Sequence, residues 1–148
     1  MGTTIREDRL LRLRDYWQTK RAGRRWPSRR DIDPCELRFT LGDLLLVDVL
    51  ANPLRFRYRL TGSNIVLRVG YDLCGQGPEA IPDPRIRTRV MTAFTQVATM
   101  GEPLSESSDR TVGGVRYAYD LLVLPLSADQ QRVDMLLVGQ VYRESAAA

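Results

Sequence analysis

Near the start of the chain, apolar residues recur at the spacing of an α-helix. Leu10, Leu13 and Trp17 follow one another at intervals of three and four residues, and charged side chains occupy many positions between them. This pattern predicts an amphipathic helix over about residues 5–20, which Ala22-Gly23 ends. The apolar side of this helix must be covered by another surface.

Two strand patterns follow at residues 44–50, "LLLVDVL", and 54–60, "LRFRYRL", with a proline-containing turn between them. They predict a β-hairpin. Apolar and basic residues alternate in the second strand. We therefore expect Phe56, Tyr58 and Leu60 on one face of a sheet and the neighbouring arginines on the other.

Glycine and proline mark the elements around this hairpin. After it, the chain forms two small pieces that are closed by Gly70 and Gly75, and we expect short helices there. Asp83-Pro84 is a helix start, with an N-cap carboxylate before proline, and apolar residues at helical spacing continue from it to Gly101. The same signal at Asp33-Pro34 predicts a short helix before the hairpin.

Three more strands are predicted at residues 104–112, 115–126 and 132–143, the first of them a polar edge strand. Residues 121–126 and 135–138 are apolar at both odd and even positions, so both faces of these strands should be covered. The long helix can cover one face. The N-terminal helix either covers the other face or packs against a second copy of the chain.

Composition limits the chemistry. The 148 residues, 43% hydrophobic and 27% charged, indicate one globular domain, and the absence of a signal peptide or membrane-length apolar run predicts a cytoplasmic protein away from membranes. The chain has no histidine, which excludes Ser-His and Cys-His pairs and histidine sites for metal or haem. Cys35 and Cys74 form no CxxC pair, and we interpret them as reduced, buried or idle thiols. We expect no enzymatic activity and no metal site.

A basic patch of four arginines, Arg24, Arg25, Arg29 and Arg30, follows the first helix. Residues 1–40 hold 11 of the 22 Lys and Arg residues but only 6 of the 18 acidic ones. If the patch is structural, Arg24 and Arg29 should bond to carboxylates or carbonyls of the domain. The alternative is a nucleic-acid or nucleotide binder that uses Arg21–Arg30. Only Trp26 is interleaved with these basic residues, so base stacking is not favoured.

The order of elements resembles that of a PAS domain. Gly70-Tyr71, Leu73 and Gly75 match the PAS signature that ends the short helices, and residues 23–34 are similar to a "GR..PSR..IDP" segment of small stand-alone bacterial PAS proteins. The resemblance covers about residues 10–142. It implies an α+β fold in which short helices and one longer helix lie on one face of a five-stranded antiparallel sheet.

The resemblance also implies a domain division and a pocket. Residues 1–42 would hold the N-terminal helix, basic loop and short helix, residues 43–143 the PAS domain, and residues 144–148 a disordered tail. A ligand pocket or a side-chain-filled core is expected between the sheet and its helices. Its candidate residues are Phe56, Tyr58, Leu60, Phe94, Tyr117, Tyr119, Met135 and Leu137.

No cofactor is predicted. Haem-binding relatives supply a histidine, and flavin photosensors carry an Asn-Cys-Arg-Phe-Leu-Gln run at their adduct cysteine. This chain has neither, so haem and a flavin–cysteine adduct are both disfavoured, and we interpret Cys74 as a small buried hydrophobe. The sequence leaves one alternative open, which is a diffusible small ligand of apolar or aromatic character.

The expected function is that of a non-enzymatic sensor or regulatory module in bacterial signalling, acting through a small ligand or an unidentified protein partner. We expect no kinase, cyclase or DNA-binding segment after the last strand, because the sequence ends with "RESAAA". PAS domains often associate through a flanking helix. The resemblance therefore favours a homodimer, with Leu10, Leu13 and Trp17 as candidate interface residues.

Overall fold

The computed structural model describes residues 7–112 and 114–144. It describes the side chains of all these residues except 109–112 and 144. The tail expected at residues 144–148 lies outside the described residues apart from Glu144, which ends the last strand. The start of the N-terminal helix pattern, at residues 5–6, also lies outside them.

Three helices and five strands form an α+β fold. The helices are α1 (Asp8–Arg21), α2 (Ser63–Val69) and α3 (Pro84–Met100); the strands are β1 (Leu44–Leu50), β2 (Arg55–Thr61), β3 (Leu104–Val112), β4 (Val115–Leu126) and β5 (Met135–Glu144). The sheet is antiparallel throughout, in the order β2-β1-β5-β4-β3. This confirms the predicted five-stranded antiparallel sheet. None of the described helices is long and apolar enough to span a membrane.

The two Asp-Pro signals both start helical turns, but of different kinds. The Asp83 carboxylate accepts a hydrogen bond of 2.9 Å from the Arg85 backbone N–H, and α3 continues from there to Gly101. The Asp33 carboxylate accepts an equivalent bond from the Cys35 N–H. Only a 3-10 turn follows Asp33, however, and a second such turn precedes β1. The capping signal thus sets where a turn begins, whereas packing sets its length.

Helix α1 lies against its own sheet. Leu10 and Leu13 are completely buried, and the Trp17 indole N–H donates a 2.8 Å hydrogen bond to the Pro125 carbonyl. A Cβ atom at Gly139 in β5 would lie 2.5 Å from a Leu10 methyl, so glycine is what allows this close approach. Helix α1 thereby covers the face of β4 and β5 opposite α3.

This packing shows the first of the two arrangements that the sequence left open. Leu10, Leu13 and Trp17 are buried within one chain and are therefore not available to a second copy. The physical reason is the apolar character of both faces of β4 and β5, which the chain covers by itself. The homodimer stays a prediction, but it requires other contact residues.

A β-bulge in β2 changes the faces expected for its residues. Val47 pairs with Tyr58, whereas Leu46 pairs with Leu60, so Arg59 is an extra residue between them. One extra residue shifts the alternation by one position. Leu60 therefore lies on the face opposite Tyr58, and the expectation that they share a face was wrong.

The two glycine-closed pieces after β2 have different structures. The first is α2, which ends at Gly70 with a φ of 85°. The second is a turn rather than a helix, and it runs along the outer edge of β2. The Tyr58 N–H donates to the Gln76 carbonyl at 2.7 Å, and the Gly75 N–H donates to the Tyr58 carbonyl at 2.8 Å. This turn satisfies backbone groups that an edge strand would otherwise leave unpaired.

The packing of α1 gives a stability prediction. Replacing Leu13 with Ala leaves a cavity under the helix and should lower the free energy of unfolding by about 2–5 kcal/mol. Arg14→Ala, at an exposed position of the same helix, should change it by no more than about 0.5 kcal/mol. Urea unfolding of both variants measures the difference. Equal effects would show that α1 does not cover the sheet.

Candidate functional site

A small cavity lies between the sheet and the helices on the α3 side. Its volume is about 40 Å3, and side chains from β1, β2, α2, α3 and β5 surround it. They include Leu45, Tyr58, Ile65, Ile86, Val90 and Gln140. The lining is mainly apolar, with Gln140 as a buried polar group.

Side chains fill most of the space around this cavity. Phe94 from α3 packs edge-on against Phe56 and Tyr58, with ring centroids 5.6 Å and 6.1 Å apart. A volume of about 40 Å3 holds about three water molecules, because each needs at least about 10–15 Å3. Drug-sized ligands occupy about 300–1,000 Å3. In this conformation the region is a packed core with a small void.

The structure does not bring the eight predicted pocket residues together. Tyr58 lines the cavity, and Phe56, Phe94 and Tyr119 are buried on the same side of the sheet. Tyr117 borders a separate polar notch at the end of the sheet. The remaining three lie on the opposite face: Leu60, Met135 and Leu137.

Sequence reasoning missed Gln140 and the aliphatic residues of α3 as cavity-lining residues. The Gln140 side-chain amide donates a hydrogen bond to the Tyr142 hydroxyl, which satisfies a polar group in an apolar setting. A signal was present in the sequence. Gln140 interrupts the apolar run of β5, and a polar residue within such a strand calls for a partner or a solvent-filled space.

A larger groove lies on the opposite face of the sheet, over β1 and β2. It has a volume of about 360 Å3, and six leucines line it: Leu37, Leu41, Leu44, Leu46, Leu60 and Leu137. Leu60 is 42% exposed and Leu41 is 40% exposed. Helix α1 covers β4 and β5 on this face, so this apolar surface remains open beside it.

The groove is flanked by charge. Asp48, buried beside it on β1, accepts hydrogen bonds from Arg57 at 3.2 Å and from Arg59 at 2.9 Å. The bond to Asp48 raises the pKa of Arg59 above its usual value. Two guanidinium groups share one carboxylate, so the β2 side of the groove carries excess positive charge. Glu36, on the other side, pairs with Lys20 at 3.1 Å.

Arg24 has the structural role that one interpretation of the basic patch required. Its guanidinium donates to the Lys20 and Arg21 carbonyls, each at 2.9 Å, and to the Asp31 carboxylate at 2.7 Å. These bonds join the end of α1 to the loop that follows. Arg29 likewise donates to the Ile32 carbonyl at 3.0 Å.

The other two arginines of the patch differ from each other. Arg25 donates to the Met100 carbonyl at 3.0 Å and stacks on Trp26, with its guanidinium carbon 4.4 Å from the ring centroid. The Trp26 ring is buried, and its N–H donates to the Gly101 carbonyl. The one aromatic side chain of the segment is thus part of the core and presents no face to a base. Arg30 is exposed.

Both cysteines are exposed, which corrects the interpretation of Cys74 as a buried hydrophobe. Its thiol donates to the Arg59 carbonyl at 3.2 Å, because the turn at residues 73–76 holds it at the edge of β2 rather than in the core. Within the described part of the chain, no group of three or more His, Cys, Asp and Glu side chains could hold a metal ion.

A family model described as "PAS domain" matches residues 5–141 of the chain. No curated protein matches it. Among solved structures, the PAS domain of Bordetella pertussis BvgS is 22% identical, with a TM-score of 0.55 over 77% of this chain and 89% of that one.

Two light-oxygen-voltage structures are similar as well. One, studied with a flavin analogue, is 13% identical, with a TM-score of 0.58 over 75% of this chain and 84% of that one. The other, from Rhodobacter sphaeroides, is 14% identical, with a TM-score of 0.53 over 75% and 68% of the respective chains. At these identities the likeness concerns the fold alone.

The Arg24–Asp31 contact predicts a pH dependence of stability. Hydrogen bonds from the Ser28 backbone, then from Arg24, lower the pKa of Asp31 from 3.8 to about 2. A depressed folded-state pKa means that the ionised carboxylate stabilises the fold above pH 3.8, and that this contribution is lost as the pH falls towards 2. Asp31→Asn should therefore be less stable than wild type at neutral pH, with the gap closing over that window.

Urea unfolding at several pH values measures this gap. Asp15→Asn, which changes an exposed carboxylate on α1, serves as the matched control and should stay close to wild type throughout. A gap that does not change with pH would mean that Asp31 acts through shape rather than charge.

Proposed function

The chain belongs to the PAS domain family, and on that premise we propose that it is a non-enzymatic sensory module that regulates bacterial signalling through contact with protein. PAS domains are typically sensory, non-catalytic modules. The observation that carries the proposal is the open six-leucine groove on the outer face of the sheet. Its occupant is a second copy of the chain, which makes the active form a homodimer in the cytoplasm.

Exposed apolar surface supports this role. Leu41 and Leu60 stand at the groove with about two-fifths of their surface open to solvent, although the interior of the same domain is well covered. Leu37, Leu44, Leu46 and Leu137 beneath them are buried, so the exposed apolar patch is small, but its two leucines lie together at one groove rather than scattered over the surface. Full burial of an exposed leucine is worth roughly 1.5–3 kcal/mol, so covering the exposed two-fifths of each side chain gains about 0.6–1.2 kcal/mol, before the cost of association.

Charge supports a second copy as the occupant. The β2 side of the groove carries Arg57 and Arg59, which share Asp48, and the facing side carries the exposed acids Asp33 and Glu36, of which Glu36 is paired with Lys20. A two-fold contact places the same patch of both chains opposite itself, so a basic side can meet an acidic side twice. The groove is therefore suited to self-association.

The alternative nucleic-acid function of Arg21–Arg30 has less support. Arg24, Arg25 and Arg29 bond to carbonyl or carboxylate groups of the domain, and the Trp26 ring is buried. The small α3-side cavity likewise favours contact with protein over a bulky cofactor, because its present volume would have to increase several-fold.

Light scattering tests the proposal. Wild type at micromolar concentration should have the mass of a dimer, and Leu60→Glu should be a folded monomer, because a charge at a surface leucine opposes burial there but not folding. Met100→Glu, which changes an exposed apolar residue at the end of α3, should remain a dimer. Circular dichroism confirms that both variants fold. A wild-type monomer, or a dimer that Leu60→Glu leaves intact, contradicts the proposed interface.

A further inference from the structure

A polar notch lies at the end of the sheet where β1 is absent. Strand β1 begins at Leu44, which pairs with Gly139, so the rest of β5 has no β1 partner on that side. Helix α2 and the turn before β1 lie beside it instead. They leave a space of about 340 Å3, which is bordered by Arg9, Asp43, Asn64, Arg68, Tyr117 and Tyr142 together with Leu67 and Val141.

The carboxylate of this notch is buried and paired with an arginine. Asp43 is only 5% exposed, and its two carboxylate oxygens accept hydrogen bonds from Arg9 at 2.8 Å and from the Asn64 amide at 3.1 Å. Arg9 also donates to Glu7 at 3.0 Å, so its charge is shared between two carboxylates. Because one guanidinium serves two carboxylates, Arg9 has no positive charge to offer to a further group.

Arg68 is the second cation of the notch. It forms no ion pair with any side chain that the structure describes, and its guanidinium carbon lies 5.2 Å from the centre of the Tyr117 ring. A cation–π contact of this length draws the guanidinium towards the ring, and the N–H groups in the plane of the guanidinium stay able to donate. Such a group is suited to two parallel hydrogen bonds to a carboxylate.

From this geometry we propose that the notch binds a small organic carboxylate, whose charge is held by Arg68 and whose apolar part contacts Leu67 and Val141. One unpaired cation matches one negative charge, which favours a monocarboxylate over a polyphosphate. The volume is at the lower end of the range for small-molecule sites, so the ligand is of modest size. This site is distinct from the groove and goes beyond the function proposed above.

The site would connect a ligand to α1. Asn64 and Arg68 are four residues apart in α2 and so lie on one face of it, and Asn64 bonds to the same carboxylate as Arg9 of α1. A ligand bound to Arg68 is thus connected to the first turn of α1 through α2 and the hydrogen bonds that Asn64 and Arg9 both make to Asp43.

The test uses sodium benzoate as the probe and benzamide, its neutral counterpart of equal shape, as the control ligand. Nitrogen–proton NMR spectra of the whole chain should show benzoate shifting the backbone signals of Leu67, Arg68 and Tyr117, with little response to benzamide. Arg68→Gln should weaken benzoate binding about ten-fold or more, since it removes a charge-assisted pair. Arg89→Gln, which changes an exposed arginine of α3, should bind as wild type does.

Three results would overturn the assignment: no response of these signals to benzoate, an equal response to benzamide, or unchanged binding by Arg68→Gln. The mass of the protein by light scattering is measured in the same samples. A monomer that still binds benzoate at Arg68 would refute the groove interface while supporting the carboxylate site, and a dimer that does not bind benzoate would do the reverse.

Discussion

Burial of both faces of β4 and β5 is the constraint on which the rest of the structure depends. The residues from Leu121 to Leu126 are apolar at every position and are all buried, so no face of this part of the sheet can meet water. Helix α3 covers one side and α1 the other. The absence of a side chain at Gly139 lets α1 come close enough to do so. The N-terminal helix is for this reason part of the core of the PAS fold, and the family match, which begins at residue 5, includes it.

The alternation of apolar and polar residues, together with the positions of glycine and proline, was enough to predict the sheet and the starts of most elements. They placed Phe56 and Tyr58 on one face because β2 alternates regularly up to that point. They misplaced Leu60 because a bulge is a property of two paired strands, and one strand's pattern carries no mark of it. For the same reason, the Asp33-Pro34 signal located a turn correctly but could not tell a 3-10 turn from a longer helix, which depends on what packs against it.

The candidate sites were harder to predict than the fold. A space between helices and sheet followed from the family resemblance, but which side chains border it depends on register and on how Phe94 fills it. The groove exists because α1 covers only two of the strands on its face. The polar notch exists because β1 begins opposite Gly139, whereas β5 continues for five more residues to Glu144. Both follow from where elements stop relative to one another. A sequence read one element at a time does not contain that relation.

The contact between Trp17 and Pro125 has a consequence for how the chain folds during its synthesis. These residues are 108 positions apart, so α1 leaves the ribosome long before the strands that bury it are made. At a synthesis rate of about 5–20 residues per second, roughly 5–20 s pass between the synthesis of this helix and that of the strands that cover it. During that time Leu10, Leu13 and Trp17 lack the strands that bury them, so this helix is made early but is among the last elements to reach its final place. Contacts between residues so distant in sequence slow folding, since the loop that joins them must close first.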